Sequence, residues 1–310
     1  MIEFLTSEAG VRLSTFGGIL ILMAILESWA PRRSREVHRH VHWSNNLGLA
    51  FINTIAIRFI APIGAVGFAM YAEANGWGLF NLIAVPGWIS ILLCVVALDL
   101  AIYGQHVLFH AVPLFWRLHM VHHADMEFDV TTGLRFHTIE ILLSLGIKCL
   151  AILVLGAPAL AVLIFEVLLN ATSMFNHSNV KLPLWMDRVL RLFIVTPDMH
   201  RVHHSVIRRE TNSNFGFNLP WWDFIFRTYR DQPEKGHSDM TIGLPEYRDR
   251  RVEYLQWMLV LPFIRRFSDS SETGNSRPSD GNIGSASNQS VTDDQSIERS
   301  GSKPAKEASA

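Results

Sequence analysis

Residues 105–124 read QHVLFHAVPLFWRLHMVHHA, and this stretch holds five histidines in two closely spaced sets. The sets are His106 with His110, and His119 with His122 and His123. On a helix, residues three or four apart lie on the same face, so each set can present its imidazoles together. The HxxHH spacing recurs at His200, His203 and His204. Two such clusters among 14 histidines in 310 residues indicate metal ligands rather than solvated surface histidines.

The composition indicates a membrane protein. The chain is 49% hydrophobic and only 18% charged, with a mean hydropathy of +0.20, which is apolar for a soluble domain. The formal net charge of −1 gives no basic field for nucleic acid, so no nucleic-acid partner is expected. Cys94 and Cys149 both lie in apolar blocks, which excludes a disulfide framework or a cysteine-rich metal site.

The apolar blocks predict an all-α, integral membrane helical bundle with about four spans, two of them forming a hairpin. Arg58 and Pro62 interrupt the second block, and Gly156-Ala157-Pro158 predicts the hairpin turn. The apolar blocks are residues 13–30, 47–72, 86–104, 139–155 and 158–175.

The basic residues predict the orientation of the chain. Arg32, Arg33 and Arg35 follow the first block, which favours a cytoplasmic loop there and a cytoplasmic position for the histidine clusters. We therefore expect a cytoplasmic, helical, histidine-rich cap on the membrane bundle. The N-terminus lacks the basic region of a cleaved signal peptide. Without an evident ER retrieval tail, a bacterial inner membrane is favoured over the endoplasmic reticulum.

Four regions are expected along the chain. Residues 1–44 hold the first span and a basic loop, and residues 45–250 hold a membrane catalytic domain. Residues 251–267 read as an interfacial amphipathic helix. Residues 268–310 are rich in Ser, Gly, Asn and Asp without an aromatic residue, so we expect a disordered tail.

Ten histidines are candidate ligands, too many for one ion and suited to two. Neutral imidazole favours iron, zinc or copper over magnesium or calcium, and no HExxH metalloprotease motif occurs. Two redox-active irons at a membrane surface would point to O2 activation with a lipid substrate. The ten are His106, His110, His119, His122, His123, His137, His177, His200, His203 and His204.

The order HxxxH, HxxHH, HxxHH resembles that of the fatty acid hydroxylase/sterol desaturase superfamily of membrane di-iron enzymes. The segments ADMEFDVTTGLRFHTIE (124–140) and TPDMHRVHHSVIRRETNSNFGF (196–217) extend this resemblance, which covers about residues 45–235. Thr138 stands where the family usually has Pro. Phe215 stands where it usually has Tyr.

The resemblance implies two irons held by the ten histidines, and O2-dependent hydroxylation or desaturation of a lipid C–H bond. The lipid could be fatty acyl, alkyl or sterol-like. Because the chain shows no fused redox domain, we expect a separate ferredoxin- or cytochrome-type electron donor. For His137 and His177 a capping or ligand-orienting role remains open. A zinc-dependent membrane hydrolase and a non-enzymatic metal-binding protein are the alternative hypotheses.

Polar residues near the boxes could orient the ligand imidazoles, although each could equally form a helix cap or an ion pair. The candidates are Asp99, Asp125, Asp129, Glu140, Asn176 and Asp198. The run His38, His40, His42 lies outside the boxes of the family; its role is open, with interfacial contacts favoured over metal binding.

Overall fold

The computed structural model describes residues 7–264, and these residues are helical without a β-strand. Within this described range, five helical segments are long and apolar enough to cross a membrane. They are Glu8–Trp29, the run Arg39–Leu82, Gly87–Ala111, Thr138–Leu155 and Ala159–Asn176. The expected all-α bundle of apolar helices is confirmed; about four spans were predicted, and the number that cross a membrane stays a prediction. The tail expected to be disordered, 268–310, lies outside the described residues.

The first half of the bundle begins with α1 (Glu8–Trp29), whose first turn is capped by the Ser7 side chain. Helix α2 (Arg39–Ile60) starts eight residues before the apolar block that predicted it. It ends just before Pro62, which has no N–H to continue a helix. Helix α3 (Gly64–Ala74) and the single turn α4 (Leu79–Leu82) complete this run.

The first histidine set lies on the third long helix itself. Helix α5 (Gly87–Ala111) continues past the predicted end at residue 104 and carries His106 and His110 in its last turns. Pro113 then occupies the first turn of α6 (Pro113–His123), where a missing N–H costs nothing. The second set is on α6, so a single interruption of the helix separates the two sets.

Helices α7 (Thr138–Leu155) and α8 (Ala159–Asn176) form the predicted hairpin. Gly156 ends α7 with a φ of +65°, in the left-handed region that favours glycine. A Cβ built there would lie 2.8 Å from the carbonyl oxygen of Trp77, so the position also permits a close approach. Pro158 precedes α8 directly. The hairpin returns the chain to the level of the histidines, where His177 follows α8.

Six short helices form the second half. Thr196 caps α10 (Pro197–His203), which packs against α8 and carries the third histidine set. The others are α9 (Leu184–Leu190), α11 (Arg208–Thr211), α12 (Trp221–Ile225), α13 (Gly236–Asp239) and α14 (Leu255–Val260).

The segment predicted as one amphipathic helix is broken within its described part. It consists of the 3-10 turn Arg250–Glu253, α14 and a second 3-10 turn, Leu261–Phe263. Met258 and Leu261 are fully buried in a cluster with Leu49 of α2. The apolar face of this segment therefore covers the protein, because α2 and α6 offer it a matching apolar surface.

Candidate metal centre

The structure gathers nine of the ten candidate histidines into two neighbouring groups. Within each group, one ring nitrogen of every member lies within 4.8 Å of the others. The five-histidine group is His106, His110, His119, His123 and His203, and the four-histidine group is His122, His177, His200 and His204. Neither group contains a carboxylate.

Helix geometry divides each HxxHH set between the two groups. Successive helical residues point about 100° apart, whereas residues one turn apart point the same way. His119 and His123 on α6 therefore face the five-histidine group, and His122 faces the other. The rings of His122 and His123 are 5.3 Å apart and nearly perpendicular. The two groups are thus adjacent and share the α6 backbone.

Ring nitrogens converge inside each group. The Nε2 atoms of His106 and His119 are 3.1 Å apart, and those of His177 and His200 are 3.0 Å apart. Two imidazole nitrogens that bind one ion at about 2.1 Å and at right angles lie about 3 Å from each other. The spacing of the side chains therefore fits a metal ion at the centre of each group.

Acceptor oxygens fix the orientation of several rings through their other nitrogen. A carbonyl or carboxylate oxygen accepts a hydrogen bond, so the facing Nδ1 carries the proton and Nε2 keeps its lone pair for a metal. The pairs are His106 with Phe215 O (2.8 Å), His203 with Ser213 O (2.8 Å), His177 with Ser173 O (2.8 Å) and His119 with Glu140 Oε1 (2.6 Å).

Burial favours the neutral form of His122, His177 and His204. Desolvation and neighbouring histidines lower the pKa of His122 and His204 far below its ordinary value, and burial lowers the pKa of His177 to about 4. Both ring nitrogens of His204 and Nδ1 of His122 are buried with no hydrogen-bond partner. Buried unpartnered nitrogens in a carboxylate-free set suit iron, zinc or copper.

The match to a known family is found over this same part of the chain: residues 91–228 match the family described as fatty acid hydroxylase. This region of the chain is similar to a fatty acid hydroxylase domain. All nine gathered histidines lie inside this region, which confirms the resemblance inferred from the histidine spacing.

Curated relatives of the chain are lipid-modifying enzymes by name. An ornithine lipid hydroxylase of Rhizobium tropici is 30% identical over 157 residues, which cover 51% of this chain and 46% of the relative. Human alkylglycerol monooxygenase is 27% identical over 184 residues (57% and 39%). Human cholesterol 25-hydroxylase is 31% identical over 142 residues (45% and 51%). The chain thus spans about half the length of the curated relatives it matches. No solved structure matches it.

Within residues 91–228, His137 lies outside both histidine groups. Its Nδ1 accepts a hydrogen bond from the backbone N–H of Ile139 at 3.2 Å, and its Nε2 lies 3.2 Å from the carbonyl of Leu259. The structure therefore does not bring the predicted ligand His137 into either histidine group. It caps α7 instead, because its backbone is extended where that helix begins.

Of the six polar residues expected to orient ligands, only Glu140 contacts a histidine of the two groups. Asp99 accepts from the indole of Trp222 at 2.8 Å and from backbone N–H groups, and Asn176 donates to the carbonyl of Phe217. Asp198 pairs with Arg32 and Arg201. The remaining two, Asp125 and Asp129, bind His42. These five side chains therefore make contacts around the site that do not include its histidines.

Backbone carbonyls take over the orienting role in three of the four pairs above. The carbonyls of Ser173, Ser213 and Phe215 have no side-chain signature in the sequence. Only the fold places them beside an imidazole. The side chain of Asn212 is a further contact, with its Oδ1 3.3 Å from Nδ1 of His110. Asn212 lies in the segment 196–217 that carries part of the family resemblance, and nothing else in the sequence points to this contact.

The interfacial contacts favoured for the run His38, His40, His42 do not describe His42, which is buried near the site. It is 1% exposed, whereas His38 and His40 of the same run are exposed and stack on each other. His42, Asp125 and Glu253 have donor atoms close enough for an ion. The guanidinium of Arg135 already lies 2.9 Å from Glu253 and 3.7 Å from Asp125. A protein cation thus neutralises this cluster.

A cavity of about 490 Å³ lies beside the five-histidine group and reaches His106 and His119. Most of its wall is apolar, from α2, α5, α7 and α8. Phe51, which lines the cavity, is 66% exposed on the outer face of the bundle. The four-histidine group does not contribute to the wall. The cavity therefore connects the side of the helical bundle with one of the two histidine groups.

Proposed function

We propose that this protein is a membrane-bound di-iron oxidoreductase that uses O2 to hydroxylate or desaturate a C–H bond of a lipid. The observation that carries the proposal is the pair of buried, histidine-only groups beside an apolar cavity. The similarity to a fatty acid hydroxylase domain, and relatives named for lipid hydroxylation, support it.

The nine gathered histidines would hold the two ions. When bound, iron supplies the reduction of O2 and the oxidation of an unactivated C–H bond, which no side chain of this chain can perform alone. The chain contributes the geometry: Phe215, Ser213, Ser173 and Glu140 hold four of the imidazoles with Nε2 facing inwards. Helices α5, α6, α8 and α10 fix the spacing between the groups.

The cavity supports a lipid as substrate. Its volume of about 490 Å³ falls within the usual range for small-molecule sites. Aromatic and aliphatic side chains such as Phe109, Phe136 and Leu169 line it. Such a wall favours a hydrocarbon chain through burial of apolar surface. An opening beside the lipid-facing helices would admit a molecule directly from the bilayer.

The electrons would come from a separate ferredoxin- or cytochrome-type protein. His110 is the ligand candidate that is partly exposed, and its neighbour Asn212 is exposed. Arg208 and Arg209 on α11 are exposed beside this place and would favour an acidic partner. With the orientation inferred from the basic first loop, this face is cytoplasmic, and a bacterial inner membrane is the proposed location.

Metal analysis combined with lipid mass spectrometry tests the proposal. We expect an iron-to-protein ratio near two, and a lipid that gains one oxygen or loses two hydrogens only in cells with the gene and with O2. His122→Ala should abolish this change, and His40→Ala, at an exposed position outside both groups, should retain it.

Two results would replace the proposal. Bound zinc with an activity that persists without O2 would indicate the hydrolase alternative, since zinc also accepts histidine ligands. An unchanged cellular function in His122→Ala would indicate a non-enzymatic metal-binding protein.

A further inference from the structure

The polar side chains in the cavity wall are nearly all satisfied by the protein itself. Asn53 donates to Phe136 O and accepts from Thr138, and Ser173 donates to Gly133 O. Every lining residue lies in the described range 7–264. Among them, Glu140 alone holds a buried side-chain atom, Oε2, with no hydrogen-bond partner. A buried acceptor without a donor is costly, so this oxygen requires a partner from outside the chain.

Glu140 is held firmly. Its Oε1 accepts the Nδ1 proton of His119 at 2.6 Å, and the residue is 3% exposed. It lies in the first turn of α7, which His137 caps. The second oxygen, Oε2, therefore has a fixed place in the wall, next to the two ligand candidates that the cavity reaches.

Two further polar side chains, Gln105 and Ser144, line the cavity near Glu140. Ser144, one turn after Glu140 on α7, exchanges hydrogen bonds with Gln105 at 2.9 and 3.1 Å. Gln105 directly precedes His106 on α5. Apolar side chains make up most of the rest of the wall, including Phe109 and Phe136 beside His119. The cavity thus offers one unpartnered acceptor next to the histidines in a mostly apolar wall.

We propose that Glu140 Oε2 accepts a hydrogen bond from a donor group of the lipid, a hydroxyl or an amide N–H. This contact places carbons next to the donor group at His106 and His119, with the hydrocarbon chain in the apolar part. Glu140 is then a specificity-determining residue that directs oxidation to the polar end of the lipid and away from the terminal methyl. The inference rests on the proposed function and adds the substrate class and the position oxidised.

A binding experiment without turnover tests the contact. Purified protein in detergent is incubated without O2, and hexadecan-1-ol, methyl hexadecyl ether and hexadecane compete against radiolabelled hexadecan-1-ol. The alcohol can donate, whereas the ether can only accept. Leaving a buried acceptor unpaired weakens binding by about 10- to 100-fold. We expect the alcohol to bind tighter than the ether and hexadecane by this factor.

Glu140→Gln should remove the preference for the alcohol over the ether. If the amide oxygen keeps the hydrogen bond from His119, the amide nitrogen faces the cavity and donates. The alcohol and the ether can both accept this hydrogen bond, so we expect them to bind about equally and tighter than hexadecane. Asn170→Leu is the matched control: Asn170 also lines the cavity, but its amide donates within α8 to Glu166 O. This variant should keep the preference of the wild type.

Equal binding of alcohol and ether to the wild type would overturn the inference, as would an unchanged preference in Glu140→Gln that retains its metal. If Glu140→Gln loses metal, the wild type still decides: oxidation of hexadecan-1-ol at the terminal methyl contradicts the inference, and oxidation beside the hydroxyl supports it. The ratio of alcohol binding to ether binding is also measurable in metal-free wild type. Absence of iron or of O2-dependent activity would therefore refute the proposed function without deciding the test of the Glu140 contact.

Discussion

The imidazole of His42 lies between two carboxylates, with Nε2 2.9 Å from Asp125 Oδ1 and Nδ1 3.1 Å from Asp129 Oδ2. All three residues are buried. Burial alone would raise the pKa of Asp125, yet His42 and Arg135 hold it below its ordinary value. The contact ties the start of α2 to the loop that follows the second histidine set. It therefore stabilises the position of α6.

His42→Ala should destabilise the protein by about 3–5 kcal/mol, because it leaves the buried Asp129 without its ion-pair partner and Asp125 with Arg135 as its remaining cation. His40→Ala removes an exposed imidazole from the same run and should stay within about 0.5 kcal/mol of wild type. Denaturant unfolding in detergent, followed by circular dichroism, measures both. Equal stabilities of the two variants would contradict this role of His42.

His137 and His203 should differ in their effect on metal content. His203 belongs to the five-histidine group, whereas His137 lies outside both groups and caps α7. We expect His203→Ala to lose about one ion per chain and His137→Ala to keep both. Loss of the α7 cap in His137→Ala should lower its free energy of unfolding by about 1 kcal/mol. Elemental analysis of the purified variants measures their metal content. Loss of metal from His137→Ala would indicate that His137 is a ligand after all.

Removal of the metal should lower the thermal stability. The histidine groups bury ring nitrogens that have no protein partner, including both of His204, so the empty groups leave polar atoms unsatisfied. A metal at about 100 times its Kd stabilises the folded chain by about 2.7 kcal/mol. Chelation should lower Tm, and ferrous iron but not magnesium should restore it. In His204→Ala, ferrous iron should restore less of the lost Tm. A full recovery of Tm in this variant would contradict the assignment of His204 as a metal ligand.

An ion cluster should hold α1 against the hairpin. Glu166 on α8 pairs with Arg12 on α1 and Lys148 on α7, all within candidate membrane-spanning helices. Glu166→Ala removes the partner of the largely buried Lys148 and leaves Arg12 with Glu8 alone, which should cost about 3–5 kcal/mol. Glu73→Ala, at an exposed position, is the control. We expect faster proteolysis between α1 and α2 in Glu166→Ala alone; equal rates would argue against the cluster.

Much of the site could be predicted from spacing, since spacing and helix period are local properties. The histidine sets, the hairpin at Gly156 and the family all followed from such patterns. The outer contacts could not be predicted in the same way. Asp125 and Asp198 were chosen for nearness in sequence, yet they bind His42 and arginines, whereas Glu140 does contact a ligand candidate.

Hydrophobic blocks and i, i+3, i+4 spacings act within one helix, so they suffice to predict the helical membrane fold and the histidines of the candidate metal centre. Tertiary packing instead sets how nine histidines divide into groups of five and four, keeps His137 outside both and buries His42. It also decided that Oε2 of Glu140 remains unpaired beside the cavity. These outcomes depend on contacts such as His106 with the carbonyl of Phe215, 109 residues apart. No local pattern encodes such a distance, since packing of the helices brings those backbones together.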